Sequence, residues 1–196
     1  KNIPIKNIFY LLIYAWDRYQ EGKSINLEIE ESPDLPNLLS NLLFKLMCRV
    51  IKKGLDKDYF EENEISSFVK GKILFNEVFK KNLIKQGKLS VQIDNLGHDT
   101  LINRYIKATL LKLKKNTKLE KNNKKNLSLI LRFLENVKSA NDFKQMEKSI
   151  KLNKNNSYYV FPLQVCKMIN NITIPSKNVG EFIFKDFRDD ELRMSE

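Results

Sequence analysis

The stretch PNLLSNLLFKLMCRVIKKG, residues 36–54, decides the fold of this chain because it carries the clearest helical pattern in the sequence. Apolar residues recur every three or four positions, so a helix from Pro36 to Lys53 has one apolar side. Pro36 suits a first helical turn, and Gly54 suits a carboxyl-terminal cap. The residues predicted to face the core are Leu39, Leu42, Leu43, Leu46, Met47 and Val50.

Helical patterns also occur on both sides of this segment. In residues 3–17, IPIKNIFYLLIYAWD, helical spacing predicts that Ile8, Leu11, Leu12 and Ala15 face the core. Further helices are predicted from residue 99 or 100 to about 115, and over 127–135, 142–150 and 158–172. Pro162 starts or kinks the last of these helices. We interpret residues 118–125 as a basic connector and residues 153–157 as a loop.

A small sheet is predicted between the helices. Residues 59–74 indicate two extended arms with a bend near Ser66, and residues 88–94 alternate as a third arm. A short helix over residues 76–86 would turn inward the side chains of Val78, Phe79 and Leu83. A separate strand is predicted where Ile25, Leu27 and Ile29 alternate with polar residues. We therefore predict an α+β fold, predominantly helical, with a small, mainly antiparallel sheet or barrel-like finger at approximately 55–98, inserted between helices.

Composition indicates a folded chain with a basic surface. The 196 residues are 42% hydrophobic, which is ordinary for a globular protein and argues against general disorder. A net charge of +11 is typical of proteins with an anionic partner, such as nucleic acid, an acidic protein surface or a membrane. A genomic bias towards Lys, Asn and Ile would raise the charge equally well without any binding role.

Two features indicate a cytoplasmic protein. Cys48 and Cys166 lie far apart in apolar helical contexts, as buried thiols of a reducing compartment do. The apolar run over residues 8–16 is too short to cross a bilayer and lacks a signal-peptide cleavage site. We expect no membrane association.

The sequence lacks the usual patterns of catalytic sites. Neither Gly71-Lys72 nor Gly87-Lys88 has the glycine and the Ser or Thr that a phosphate-binding loop requires. Asp142-Phe143-Lys144 lacks the preceding acidic strand of a metal-dependent nuclease, so a helix start explains it better. His98, the single histidine, is interpreted as a turn or cap residue. The acidic cluster Asp186, Asp189, Asp190 and Glu191 is interpreted as a helix amino terminus. We predict no catalytic residue, no metal site and no cofactor in this chain.

Two basic segments are candidates for binding. The possible nucleic-acid contacts are Lys112, Lys114, Lys115, Lys118 and Lys121, which could neutralise phosphates or form a solvated helix face. Lys70 and Lys72 flank Gly71 beside a predicted strand, so a turn would present both cations. That turn could contact a protein partner or a phosphate, or it could serve only as a turn.

Several segments resemble, in order, the McrC family of GTP-dependent McrBC restriction systems, which cut methylated DNA. The chain opens with Pro-Ile-Lys-Asn-Ile at residues 4–8 and Tyr-Ala-Trp at 14–16. Similar blocks follow at residues 38–39, 54–59, 69–73, 99–110, 155–159, 165–167 and 184–188. The resemblance therefore covers nearly the whole chain.

The resemblance implies a non-catalytic, amino-terminal McrC-like region spanning residues 1–196. In the family this region docks on a hexameric AAA+ GTPase, McrB, reaches into its channel and stimulates GTP hydrolysis. GTP and Mg²⁺ then belong to the complex, which also binds the DNA. A PD-(D/E)xK nuclease domain follows in the family, and we expect it to be missing from these 196 residues.

The resemblance also suggests which residues contact the partner. They are Lys70, Gly71, Lys72, Asn103 and Arg104. Asn103 and Arg104 could instead brace the sheet against a helix through hydrogen bonds. The alternative functions are a basic DNA-binding module of a restriction or defence complex and, third, a divergent nuclease whose carboxylates meet only in the folded chain.

Overall fold

The computed structural model describes residues 5–18, 34–139, 142–175 and 182–184. These residues divide into two compact units. The helical body comprises the described residues up to Leu55 and from Leu101 onward, and the sheet unit is Asp56–Thr100. The strand predicted around Ile25, Leu27 and Ile29 lies outside the described residues, as does the acidic cluster Asp186, Asp189, Asp190 and Glu191.

The described elements confirm an α+β fold in which helices predominate. In chain order they are α1 (Ile5–Ala15), α2 (Leu35–Lys53), β1 (Asp58–Ser66), β2 (Lys72–Ile73), α3 (Phe75–Lys80), β3 (Leu89–Gly97), α4 (Leu101–Lys114), α5 (Lys121–Phe133), α6 (Phe143–Ser149), α7 (Val160–Ile172), β4 (Thr173–Pro175) and β5 (Phe182–Phe184). Two 3₁₀ segments, Leu83–Gln86 and Lys154–Tyr159, precede β3 and α7. The short strands β4 and β5 pair antiparallel.

Helix α2 is the centre of the helical body, as its sequence pattern predicts. Asp34 caps its start by accepting a hydrogen bond from the Asn37 backbone N–H at 3.0 Å. Gly54 ends it with φ +103°, a backbone angle that favours glycine. Its six predicted core residues are buried, and the helix packs against α1, α5 and α7. One strongly patterned helix thus organises the core of the body.

The buried face of α1 differs from the prediction. Phe9 and Ile13 are buried, whereas Leu11 is 64% exposed and Ala15 is also exposed. Ile8 and Leu12 are partly buried at the edge of the core. The prediction failed because this helix is apolar almost all round, so that spacing alone does not select a face.

Helix α5 begins earlier than its apolar pattern indicates. The predicted connector 118–125 is wrong from residue 121 onward, because the first turns of α5 occupy it. Buried Asn37 explains the difference: its Oδ1 accepts hydrogen bonds from the Glu120 N–H at 3.0 Å and from Asn123 Nδ2 at 2.9 Å. Its Nδ2 donates to Lys118 O at 3.1 Å. This contact between distant residues fixes the start of a polar helix.

A second polar segment also forms a helix where a loop was predicted. Residues 154–159 form a 3₁₀ helix that starts with a capping box. Asn153 Oδ1 accepts from the Asn156 N–H at 3.1 Å, and Asn156 Oδ1 accepts from the Asn153 N–H at 2.7 Å. Pro162 then lies buried in the first turn of α7, where a missing N–H costs nothing.

The sheet unit has a three-stranded antiparallel sheet of order β1-β3-β2. The β1–β3 ladder runs from Asp58 opposite Gly97 to Ser66 opposite Leu89, and β2 pairs with the middle of β3. The predicted arms and the bend at Ser66 are therefore confirmed. Among the described residues of this unit, the buried apolar side chains are Val78, Leu83 and Val91.

The short helix predicted over residues 76–86 is only partly correct. Helix α3 ends at Lys80, and Asn82, with φ +50°, separates it from the 3₁₀ segment. Val78 and Leu83 face inward as predicted, but Phe79 is 64% exposed. Val78 and Phe79 are consecutive residues of one helix and lie about 100° apart around its axis, so the inward face that buries Val78 leaves Phe79 exposed.

Candidate partner-binding site

The loop between β1 and β2 exposes two adjacent apolar side chains. Phe68 is 80% exposed and Val69 is 67% exposed. The Phe68 N–H donates to Ser66 Oγ at 3.1 Å, which holds the first turn of the loop. Bulky apolar residues held in a short loop form a surface suited to contact with another protein.

The predicted contact residues Lys70, Gly71 and Lys72 complete this loop and lie together. Lys70 Nζ is 2.6 Å from Glu64 Oε1, so an ion pair with β1 positions this cation. Gly71 has φ +74°, and a Cβ there would lie 2.2 Å from the Gln92 carbonyl oxygen. Only glycine therefore allows the loop to approach β3 so closely. Lys72 is exposed and begins β2 opposite Gln92.

Exposed apolar residues are concentrated throughout the sheet unit. Of the fifteen large hydrophobic side chains exposed among the described residues, eight lie in this unit. They are Tyr59, Ile65, Phe68, Val69, Phe75, Phe79, Ile84 and Leu96. Sequence reasoning missed most of this surface, because an exposed apolar residue has the same sequence signal as a buried one.

A polar contact joins α3 to β3. Glu77 Oε2 accepts hydrogen bonds from Lys81 Nζ at 2.8 Å and from Ser90 Oγ at 3.0 Å. The hydrogen bond from Lys81, together with that from Ser90, lowers the pKa of the Glu77 carboxyl. The Leu74 N–H also donates to the Ser90 carbonyl oxygen at 2.9 Å. These bonds fix the helix that carries Phe75 and Phe79.

Charge is segregated within the sheet unit. Strands β1 and β3 carry five acidic and no basic residues, namely Asp58, Glu61, Glu62, Glu64 and Asp94. Residues 67–88 carry six lysines and one acid. The loop 67–71 and the turn 83–88 adjoin the Ser66–Leu89 end of the ladder, whereas the chain enters and leaves the unit beside the Asp58–Gly97 end. The Ser66–Leu89 end of the ladder therefore combines basic and apolar side chains.

Asn103 and Arg104 belong to the helical body. Asn103 is buried, and its Oδ1 accepts a hydrogen bond from the Tyr159 hydroxyl at 2.9 Å. This hydrogen bond gives Asn103 a structural role within the helical body, and the predicted bracing of the sheet against a helix stays a prediction. Arg104 is partly buried on α4. Partner contact by either residue stays a prediction.

The predicted nucleic-acid contacts fall into two groups. Lys112 is partly buried: its Nζ lies 5.2 Å from the centroid of the Phe143 ring and donates to Asn170 O at 3.4 Å. Burial lowers the pKa of this lysine. The exposed members of the set are Lys114, Lys115, Lys118 and Lys121. They surround the turn between α4 and α5.

Asp142 and His98, which we considered for catalysis, make contacts within the fold. Asp142 caps α6 by accepting from the Gln145 N–H at 3.1 Å, and His98 Nδ1 lies 3.2 Å from Asp56 O between β3 and α4. Cys48 and Cys166 are free thiols, and burial raises the pKa of Cys166 to about 12.

Within residues 5–18, 34–139, 142–175 and 182–184, no group of three or more His, Cys, Asp or Glu side chains could hold a metal ion. In the same ranges, every helix is too short or too polar to cross a membrane.

These features define an α+β protein with a helical body and an inserted sheet unit, whose exposed apolar and basic side chains suit it to protein contact. A family model described as the McrBC 5-methylcytosine restriction system component matches residues 6–183. The chain therefore belongs to the McrBC restriction family, which confirms the resemblance seen in the sequence.

Comparison with individual proteins agrees with this assignment. Over 193 residues the chain is 36% identical to the type IV methyl-directed restriction enzyme EcoKMcrBC of Escherichia coli strain K12, covering 98% of this chain and 56% of the relative. The chain thus spans about half the length of the curated relative that it matches.

Two solved structures share the fold. One is the cryo-EM structure of the Thermococcus gammatolerans McrBC complex, with a TM-score of 0.59, 18% identity, and coverage of 97% of this chain and 55% of the other. The second is a half-complex from a tetradecameric assembly of T. gammatolerans McrB AAA+ hexamers with bound McrC. It has a TM-score of 0.60, 17% identity, and coverage of 87% and 39%.

Proposed function

We propose that this chain is the ring-docking, non-catalytic region of a McrC-like restriction subunit. It binds a hexameric McrB-like AAA+ GTPase, stimulates GTP hydrolysis, and couples hydrolysis to DNA cleavage by a nuclease domain outside residues 1–196. GTP and Mg²⁺ are ligands of the ring, and DNA binds to the complex. The whole assembly works in the cytoplasm.

The observation that carries this proposal is the exposed apolar surface of the sheet unit. Eight large apolar side chains are exposed on a unit in which three described apolar residues are buried. Leaving such a surface in water is unfavourable, and burial against a partner recovers roughly 25 cal/mol per Å² of apolar area. The solved complex described as McrB hexamers with bound McrC supports a ring as that partner.

The chemistry of the loop suggests how docking stimulates the GTPase. Phe68 and Val69 would anchor the loop in an apolar part of the ring channel, because both are largely exposed. Lys72 would then lie beside that anchor and supply positive charge to groups that orient water or stabilise phosphate charge. A single sheet unit bound to six equivalent subunits must break their symmetry, so binding and hydrolysis become coupled.

Replacing the anchor residue tests the proposal directly. The 196-residue chain and the variant Phe68→Ser are each mixed with the cognate ring, and co-elution and GTP turnover are measured. We expect the unaltered chain to co-elute and to stimulate turnover, and Phe68→Ser to lose about tenfold or more in affinity, as a truncated hot spot does.

Phe133→Ser is the matched control, because Phe133 is an exposed phenylalanine of the helical body. It should bind and stimulate like the unaltered chain. Equal losses in both variants would contradict docking through the sheet unit. Absence of both co-elution and stimulation with the unaltered chain would refute the proposed function itself.

A further inference from the structure

A line of cations runs along the outer side of α5. Lys121, Lys125 and Arg132 are spaced four and seven residues apart, so they lie on one side of the helix and are exposed. Buried Leu127 and Ile130 occupy the opposite side. We call Lys121, Lys124, Lys125 and Arg132 the basic stripe. A shallow depression on this surface is lined by Lys124, Lys125, Ser128, Leu129 and Arg132.

The charge of this region is concentrated and unbalanced. Between Lys112 and Arg132 the sequence has eight Lys and Arg residues and one acid, Glu120, so it supplies +7 of the net +11. Within the described part of the chain, no side chain of the basic stripe forms an ion pair. Its positive charge is therefore available to an external anion.

The dipole of α5 strengthens the positive potential. Lys121 and Lys124 lie in the first turn, which contains no acidic residue. Glu120 precedes the helix, but its side chain makes no capping hydrogen bond. Cations at a helix amino terminus repel the dipole, and a bound anion would relieve that repulsion.

Buried asparagines hold the backbone that carries these charges. Asn116 Oδ1 accepts from the Lys118 N–H at 2.8 Å, and Asn37 accepts from the Glu120 N–H and from Asn123 Nδ2. Asn37, Asn116 and Asn123 are at most 8% exposed. The turn and the start of α5 are thus ordered before any ligand binds, which lowers the entropic cost of binding.

We propose that the basic stripe binds the phosphate backbone of duplex DNA, independently of ring docking. From Lys121 to Arg132 the helix rises about 16 Å, which equals the rise of roughly five phosphates of one strand measured along the duplex axis. A line of unpaired cations on a rigid helix fits a regularly charged polymer. Contacts to phosphates alone carry no sequence information, so this binding is independent of base sequence.

The test measures the salt dependence of DNA binding by fluorescence anisotropy, with the 196-residue chain and a labelled 20-base-pair duplex. The stripe variant is Lys121→Gln/Lys125→Gln/Arg132→Gln. The matched control, Lys144→Gln/Lys148→Gln/Lys151→Gln, removes three exposed lysines elsewhere in the body and thus the same charge. Circular dichroism verifies that both variants are folded.

We expect the stripe variant to bind about tenfold or more weakly at low salt, and its slope of log affinity against log salt to fall by about three. The control should keep the slope of the unaltered chain within about one. Equal loss in both variants would overturn the proposal, because diffuse net charge would then explain binding. Absence of binding by the folded unaltered chain at low salt would overturn it as well, whether or not ring docking succeeds.

Discussion

The helical body and the sheet unit use apolar residues in opposite ways. The core cluster contains twenty-six buried residues, and all of them belong to the body. In the sheet unit, three described apolar residues are buried and eight large ones are exposed. The apolar residues of the body thus stabilise its core, whereas those of the sheet unit are exposed and available for contact with a partner.

This contrast explains why one chain contains both parts. A small sheet that exposes its apolar residues gains little free energy from its own packing. The large core of the body contains no residue from 56–100. We therefore expect substitutions in the body to change global stability, and substitutions in the sheet unit to change local stability and binding.

The largest effect is expected from a cavity in the body. Phe161 is buried and packs edge-on against Trp16, with ring centroids 5.9 Å apart. Phe161→Ala should lower the free energy of unfolding by about 3–5 kcal/mol, because it removes apolar contacts and leaves a cavity. Urea denaturation followed by circular dichroism measures this loss. Phe133→Ala, at an exposed site, should change it by less than about 0.5 kcal/mol, and similar losses in both variants would contradict the core assignment.

A smaller and more local effect is expected at the base of the β1–β2 loop. Gly71 and Gly87 have similar positive φ angles, +74° and +64°, but only at Gly71 would a Cβ clash with backbone. Gly87→Ala should cost about 1 kcal/mol for the backbone angle alone. Gly71→Ala should cost about 2–4 kcal/mol, since β2 must also move away from β3.

Hydrogen exchange of the amides of β2 and β3 measures this difference. Faster exchange confined to the sheet unit, and greater in Gly71→Ala than in Gly87→Ala, is the expected result. If exchange in the helical body accelerates equally, the two units do not differ in local stability as we infer.

The sequence predicted elements well where local signals agree. Helix α2 has a polar cap, a regular apolar face and a terminal glycine, and each signal acts within a few residues. The bounds of β1 and β3 were also close to the prediction, whereas β2 has only two residues of the longer arm that was predicted. In contrast, the start of α5 depends on Asn37, more than eighty residues away, and no local pattern reveals that contact.

The candidate site was only partly predictable. Lys70, Gly71 and Lys72 were found because a glycine between two cations beside a strand indicates a turn. The exposure of Phe68 and Phe79 was missed, since periodicity in a short segment cannot separate a binding surface from a core. Whether these residues contact a partner is decided by the experiments above and not by the fold.

A moderate effect is expected where Asn103 is held in the body. Tyr159→Phe removes the hydrogen bond to Asn103 Oδ1 and leaves a buried acceptor without it, so it should cost about 1–2 kcal/mol. Tyr158→Phe is the control: its hydroxyl donates to the Gly54 carbonyl oxygen in an exposed position and should cost less than about 1 kcal/mol. Thermal unfolding compares the two variants.

The same pair tests the role of Asn103. If Asn103 braces the body, Tyr159→Phe lowers stability but leaves the affinity of the folded chain for the ring unchanged. A loss of affinity without a loss of stability would instead favour Asn103 as a contact residue.

The smallest effect is expected at Glu77, whose carboxylate joins α3 to β3 at the surface of the sheet unit. Its pKa is lower in the folded chain than in the unfolded chain, chiefly because Lys81 donates a hydrogen bond to it. Stabilisation by the Glu77 carboxylate is therefore complete above the pKa that this group has in the unfolded chain. It is lost as the pH falls through the lower pKa of the folded chain. Hydrogen exchange of β3 amides, compared between the unaltered chain and Glu77→Gln from neutral pH to about pH 3, measures this stabilisation across the pH range in which it is lost.

The expected result is faster exchange in Glu77→Gln at neutral pH and a difference that shrinks as the pH falls. Lys81→Ala removes the main cause of the lowered pKa, so in that background Glu77→Gln should have less effect at neutral pH. A difference that grows towards acid pH would reverse the sign of the linkage. Such a result would mean that the Glu77 carboxylate destabilises the sheet unit. The unit would then be stabilised only by its three buried apolar residues and its strand pairing.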